Sequence, residues 1–141
     1  FDKGGMRPTV RLYEGMQGVK IILQDVLATL KDGEEYYVYS PAEVRPILLS
    51  SFENFSKERV QKNIHVKTLA MGIGGALAGN DERKLLMDGS LRQPTYTLIY
   101  GGKVAYVSFD AVKNPVGVII ENEGIFEMQK FIFLELWKMI K

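Results

Sequence analysis

The chain has 141 residues, 46% hydrophobic and 25% charged, and contains no cysteine. This is globular composition, long enough to bury a core without disulfide or metal staples, and the missing thiols exclude thiol catalysis and thiolate metal sites. A formal charge of +1, from 18 basic and 17 acidic residues scattered along the chain, excludes the basic excess with which a surface tracks a nucleic-acid backbone.

Residues 1–8, "FDKGGMRP", read as a tail or linker. Because the first residue is Phe1 rather than methionine, the chain reads as a piece of something longer, with 9–141 as one domain. "TVRLY" from Thr9 alternates like a short strand. Val19, Ile22, Leu23, Val26, Leu27 and Leu30 then recur at helical spacing up to about Lys31, where "KDG" stops the helix. "EEYYVYS" has the aromatic and β-branched content of a strand, closed by Pro41. Leu48, Phe52 and Phe55 predict a single second helix from Pro46 to about Asn63. "IHVKTLAM" alternates as a strand, and a glycine-rich charged loop follows from Gly72 to about Ser90, with one helical turn at "DERKLLM".

"TYTLIYGGKVAYVSF" is a hairpin around Gly101-Gly102. "VGVIIE" reads as a strand buried on both faces, and a last helix runs from about Gly124 to Ile140. This order predicts an α/β sandwich with a mixed β-sheet flanked by helices. No apolar run is long enough to cross a bilayer, so the expectation is a soluble cytoplasmic protein with no metal and no cofactor.

Two motifs in "NIHVKTLAMGIGGALAGNDE" are incomplete. His65 and Lys67 begin the H-x-K-x4-D pattern of phospholipase D phosphodiesterases, but the fifth residue after Lys67 is Gly72, where the aspartate should stand. Gly74 to Gly79 spells G-x-x-x-x-G after a strand, yet Asn80 and Asp81 replace the lysine and hydroxyl residue that a phosphate loop needs for the phosphates and magnesium. Both read as a strand and a surface loop.

"RPTVRLYEGMQGVKIILQDVL" resembles the opening of the effector domain of TrmB-type transcriptional regulators, a strand and a "YEG..G" turn into a helix. "TYTLIYGGKVAYVSF", "PVGVIIEN" and "FIFLELWK" resemble that family's hairpin, last strand and final helix. The resemblance covers roughly Arg7 to Lys141 and is weakest from Ser40 to Ser90. It implies a degenerate phospholipase D-like half-domain without the catalytic motif. Aligning "GGKV" to the active pattern puts Pro94, Tyr96 and Gly101, or one residue later Thr95, Thr97 and Gly102, where histidine, lysine and aspartate belong. The expectation is therefore no enzymatic activity. The resemblance implies instead a ligand-sensing domain for a small-molecule effector such as a sugar or polyol, meeting DNA only through a winged helix-turn-helix segment absent from this chain. The alternatives are a dimerisation module without a small ligand, or a phosphodiesterase working through His65 and Lys67.

Ligands in open α/β sheets sit beyond the carboxyl ends of strands, which selects Glu14 after the first strand, Ser40 at the end of the second, and Arg92 and Tyr96 at the former catalytic strand. Glu14 and Arg92 would orient hydroxyls in one shared cavity, with Tyr96 stacking beside them. The bland alternative is a Glu14 to Arg92 ion pair with Tyr96 as sheet packing. The last helix carries two apolar stripes, Ile125, Met128, Ile132 and Leu136 against Phe126, Phe133, Trp137 and Ile140. A stripe left over after packing on the sheet would make a homodimer, with Phe133 and Trp137 as its anchors.

Overall fold

The computed structural model describes residues 7–75, 77–79, 81–89 and 91–141. Most of the expected tail, residues 1–6, and Asn80 and Ser90 of the glycine-rich loop lie outside the described residues. The elements run β1 (Thr9–Glu14), α1 (Gly15–Thr29), β2 (Glu35–Pro41), α2 (Arg45–Ser51), α3 (Phe55–Gln61), β3 (His65–Met71), β4 (Glu82–Met87), β5 (Tyr96–Tyr100), β6 (Lys103–Phe109), β7 (Pro115–Glu121) and α4 (Glu123–Met139). The strands form one mixed sheet in the order β1-β7-β6-β5-β2-β3-β4. β2, β3 and β4 are mutually parallel, whereas β5, β6, β7 and β1 pair antiparallel, so the sheet changes character at β2.

Strand alternation divides the core into two layers. On one face Tyr36, Val38, Leu98, Tyr100, Ala105, Val107 and Ile119 meet the apolar stripe of α1, Val19, Ile22, Leu23 and Val26, all buried as its spacing predicts. The sheet accepts α1 at Gly117, where a β-carbon would stand 2.3 Å from Ile22 Cδ1. On the other face Tyr37, Leu69, Ile99 and Val104 pack on α4. The hairpin turn takes φ +52° at Gly101 and +82° at Gly102, the left-handed pair that two-residue turns require. α4 opens on Asn122, whose side chain accepts the Ile125 amide at 2.9 Å and satisfies an otherwise free helix-terminal donor.

Several expectations are corrected. The single helix of 46–63 is two short ones. Phe52 leaves the helical region with φ −153° and ψ 83°, so that it meets Phe55 edge-to-face at 5.8 Å and both rings reach the core. The Ser51 hydroxyl donates to the Leu48 carbonyl at 2.9 Å, offering the backbone a local alternative at the break. "ERKLLM" is not a helical turn but β4, laid parallel along β3 and held by a Lys67 to Glu82 ion pair at 3.4 Å and by the packing of Leu86. Non-local pairing overrides the local preference there. β7 is buried only on the α1 face; Val116, Val118 and Ile120 on the other face are half-buried, because α4 lies over the middle of the sheet.

Phe133 cannot anchor a dimer in this fold. It is 0% exposed, its ring 5.2 Å from both Tyr37 and Tyr39 and stacked at 6.0 Å on Trp137. The stripe of Phe126, Phe133, Trp137 and Ile140 is the one that packs on the sheet. Lys84 of β4 closes that seam, donating to the Trp137 carbonyl at 2.7 Å with its ammonium 4.5 Å from the indole centroid. Ile125, Met128 and Ile132 instead face outward, with Phe131. Among the described residues no helix is long and apolar enough to cross a membrane.

Phe133→Ala is expected to cost about 3–5 kcal/mol, as removal of a fully buried aromatic does, whereas Phe131→Ala, 61% exposed, should stay within about 0.5 kcal/mol. Denaturant titration of the two variants checks the assignment of the stripes.

Candidate functional site

The parallel strands β2 and β3 both end at the same edge of the sheet, where the antiparallel β5 begins. The chain leaving β2 turns into α2, and the chain leaving β3 makes the glycine-rich loop before β4. Between these segments and α3 lies a cavity of about 630 Å³. Its apolar wall includes Leu23, Leu48, Phe52 and Phe55, and its polar side is made by Ser40, Thr68, Tyr36, Tyr96 and the three arginines Arg45, Arg59 and Arg83. Asp81 and Glu53 are the carboxylates on its lining.

The three arginines are held differently. Arg59 of α3 is 3% exposed and makes a bidentate pair with Asp81, at 2.8 and 2.6 Å, while also donating to the Ile64 carbonyl at 2.9 Å. Burial opposes its charge, and the hydrogen bonds to Asp81 more than restore it, raising its pKa above the ordinary value. Arg45 begins α2 and turns back over the end of β2. It donates to the Ser40 hydroxyl at 3.0 Å and to the carbonyls of Ser40, Met71 and Ile73 at 3.2 to 3.3 Å. Arg83 on β4 reaches the next carbonyl of the same loop, Gly74. Burial and then the neighbouring Arg83 lower the Arg45 pKa. Tyr96 stands among all three. Burial pushes its phenol up to about 12, opposed by Arg59, by hydrogen bonding to Ser40, and by Arg45 and Arg83.

Of the four residues singled out in the sequence, Ser40 and Tyr96 line this cavity, and Glu14 and Arg92 do not. Glu14 ends β1 on the opposite edge of the sheet and stands, exposed, where α1 starts. Arg92 is exposed in the loop before β5, and no ion pair joins it to Glu14. The buried Ser40 is taken up by Arg45, which it orients. Lys67 lies away from the cavity, paired with Glu35 at 3.0 Å and Glu82 at 3.4 Å.

Arg45, Arg59 and Arg83 carry no site signal in the sequence pattern, and Asp81 stands out there only as a departure from the phosphate loop. The rule that ligands sit beyond strand ends applies to β3 as well as β2, and the glycines that follow Met71 were its signal. Arg83 was hidden by reading its segment as a helical turn.

No protein-family model and no curated protein matches the chain. Its fold is shared with solved structures that include the following three. TrmBL2, described as an archaeal chromatin protein with a novel mode of DNA binding, aligns with a TM-score of 0.56 and 13% identity over 94% of this chain. NucT from Helicobacter pylori gives 0.60 and 10%, over 95% of this chain and 98% of its own. Nuc from Salmonella typhimurium, a phospholipase D family member, gives 0.57 and 10%, over 96% of this chain and 97% of its own. The fold is thus the phospholipase D-like, TrmB-like α/β architecture, and this chain spans 53% of TrmBL2.

The same likeness corrects the expectation of no enzymatic activity. That expectation rested on motifs incomplete within single segments, His65 and Lys67 without their aspartate, the Gly74 to Gly79 loop without its lysine, and the hairpin strand without H-x-K, whereas the fold as a whole is shared with a phospholipase D family member. A motif missing from one strand says nothing about side chains that other elements bring to the same edge of the sheet.

Asp81→Ala would strand the Arg59 guanidinium, whose side chain is 4% exposed beside a 7% exposed partner, and should cost about 3–5 kcal/mol. Replacing both residues together, as Arg59→Met with Asp81→Leu, should recover most of that loss. Thermal or denaturant unfolding of the single and double variants reads the difference.

Proposed function

We propose that this chain is the ligand-sensing domain of a TrmB-like transcriptional regulator, binding a small polar molecule in the cavity at the ends of β2 and β3. The observation that carries the reading is the cavity itself. Its volume of about 630 Å³ suits a small-molecule site, as does its make-up of an apolar wall with a few convergent polar groups. It also lies beyond the carboxyl ends of parallel strands, where α/β sheets take ligands. The likeness to TrmBL2 supports the regulatory setting, with DNA engaged by a winged helix-turn-helix outside this chain. Thr68 and the Tyr96 hydroxyl meet hydroxyls of a sugar or polyol, and Phe52 and Leu48 take its apolar face.

A calorimetric screen of sugars and polyols tests this reading. Tyr96→Phe and Thr68→Val each remove one neutral hydrogen bond worth about 0.5–1.5 kcal/mol, so affinity should fall roughly two- to tenfold. Arg92→Ala, away from the cavity, should leave it unchanged. Binding indifferent to both cavity variants would remove the reading.

A second reading, self-association as a homodimer, is favoured by one observation. Met128 (58% exposed) and Phe131 on α4, with Val10 (58%) and Leu12 (80%) on the edge strand β1, leave apolar side chains in solvent. Large side chains of this kind are the usual centre of a subunit interface. Light scattering across a concentration series should give the mass of a dimer, and Phe131→Glu should return it to that of a monomer.

A further inference from the structure

Resting on the cavity reading above, we infer that the ligand carries an anionic group, a carboxylate or phosphate, held between Arg45 and Arg83. These two guanidiniums keep their charge while most of their hydrogen-bond partners are neutral. Each arginine has five N–H donors and one full charge. Arg45 spends its donors on the Ser40 hydroxyl and three backbone carbonyls, and Arg83 donates to the Gly74 carbonyl. Such acceptors satisfy geometry without neutralising charge. The remaining cation, Arg59, is neutralised by Asp81 through two short hydrogen bonds. Among the described residues, neither Arg45 nor Arg83 makes an ion pair to a carboxylate.

The two charges are also neighbours, and Glu43 offsets that of Arg45 only in part. Arg45 reaches Ile73 O and Arg83 reaches Gly74 O, the next carbonyl along one loop, from α2 on one side and β4 on the other. Like charges so placed repel each other, and an arrangement of this kind persists at a cavity edge when a counter-charge can enter between them. Arg45, fixed by four bonds, brings its positive charge and one remaining N–H to a carboxylate or phosphate, as a point contact. Arg83, which among the described residues donates to the Gly74 carbonyl, supplies the fork of the clamp. Tyr96 and Thr68, on the same lining, meet the uncharged part of the molecule.

The probes are inorganic phosphate, gluconate and glucose, titrated into the ¹⁵N-labelled full chain while the Arg45 and Arg83 Nε–H and the Gly74 and Gly75 amide signals are followed. Saturable shifts of these signals with phosphate and gluconate are expected. Affinity for gluconate should weaken roughly ten- to a hundredfold in Arg83→Gln, the loss of one charged hydrogen-bonding partner, and be largely kept in Arg83→Lys, which retains the charge. The rest of the spectrum reports whether each variant is folded. Phosphate alone shifting the signals, with gluconate silent, supports the anion site and assigns it to phosphate. Saturable shifts with glucose only would overturn the anionic clamp and leave the polyol-binding cavity standing. Absence of saturable shifts with either anion would overturn the clamp as well, and the calorimetric screen then decides separately whether the cavity binds anything.

Discussion

The pair between Arg59 and Asp81 is the interaction on which this end of the molecule depends. Two charges removed from water cost several kilocalories per mole each, and only good geometry with extra hydrogen bonds offsets that. Both conditions are met, since the guanidinium is bidentate to Asp81 and also donates to Ile64 O, while Asp81 additionally accepts the Ala78 amide at 3.2 Å. One guanidinium thereby joins α3, the entry to β3 and the residue that leads into β4. The position of β4, and with it Arg83, follows from that junction. Because Arg59 is satisfied there, the charge available to the cavity belongs to Arg45 and Arg83.

The sheet supplies the second constraint. β2 is parallel to β3 on one side and antiparallel to β5 on the other, so the carboxyl ends of two strands and the beginning of a third meet at one edge. Parallel neighbours require a crossover, here α2 and α3, and that crossover is what roofs the cavity. On the opposite face α4 is fixed by Phe133 wedged between Tyr37, Tyr39 and Trp137. The cavity, with Arg45 at the start of α2 and Gly74 in the loop after β3, lies on the face away from α4.

A fold shared with TrmBL2 and with a phospholipase D family member places the chain on a scaffold that serves more than one purpose. Function on such scaffolds is decided by the side chains at the strand ends. In this chain those are arginines, a tyrosine and hydroxyl residues brought from β2, β3, β4, β5 and the two short helices, and they differ in origin from an H-x-K motif confined to one strand.

The sequence by itself determined the elements whose signal is local. The stripe of α1, the Gly101-Gly102 turn, the alternation of β2 and β3 and the extent of α4 were all legible, because spacing and turn chemistry act within a few residues. So was the class of fold, since the order of those elements permits few arrangements. Tertiary structure decided what local pattern leaves open. It turned "ERKLLM" into an edge strand through pairing with β3, broke the helix at Phe52 to seat two rings, and chose which stripe of α4 faces the sheet. It also separated Glu14 and Arg92 from Ser40 and Tyr96, and gathered Arg45, Arg59 and Arg83 from positions up to 38 residues apart. Charge pairing over such separations depends on where the strands end in space, and one-dimensional spacing carries no record of that.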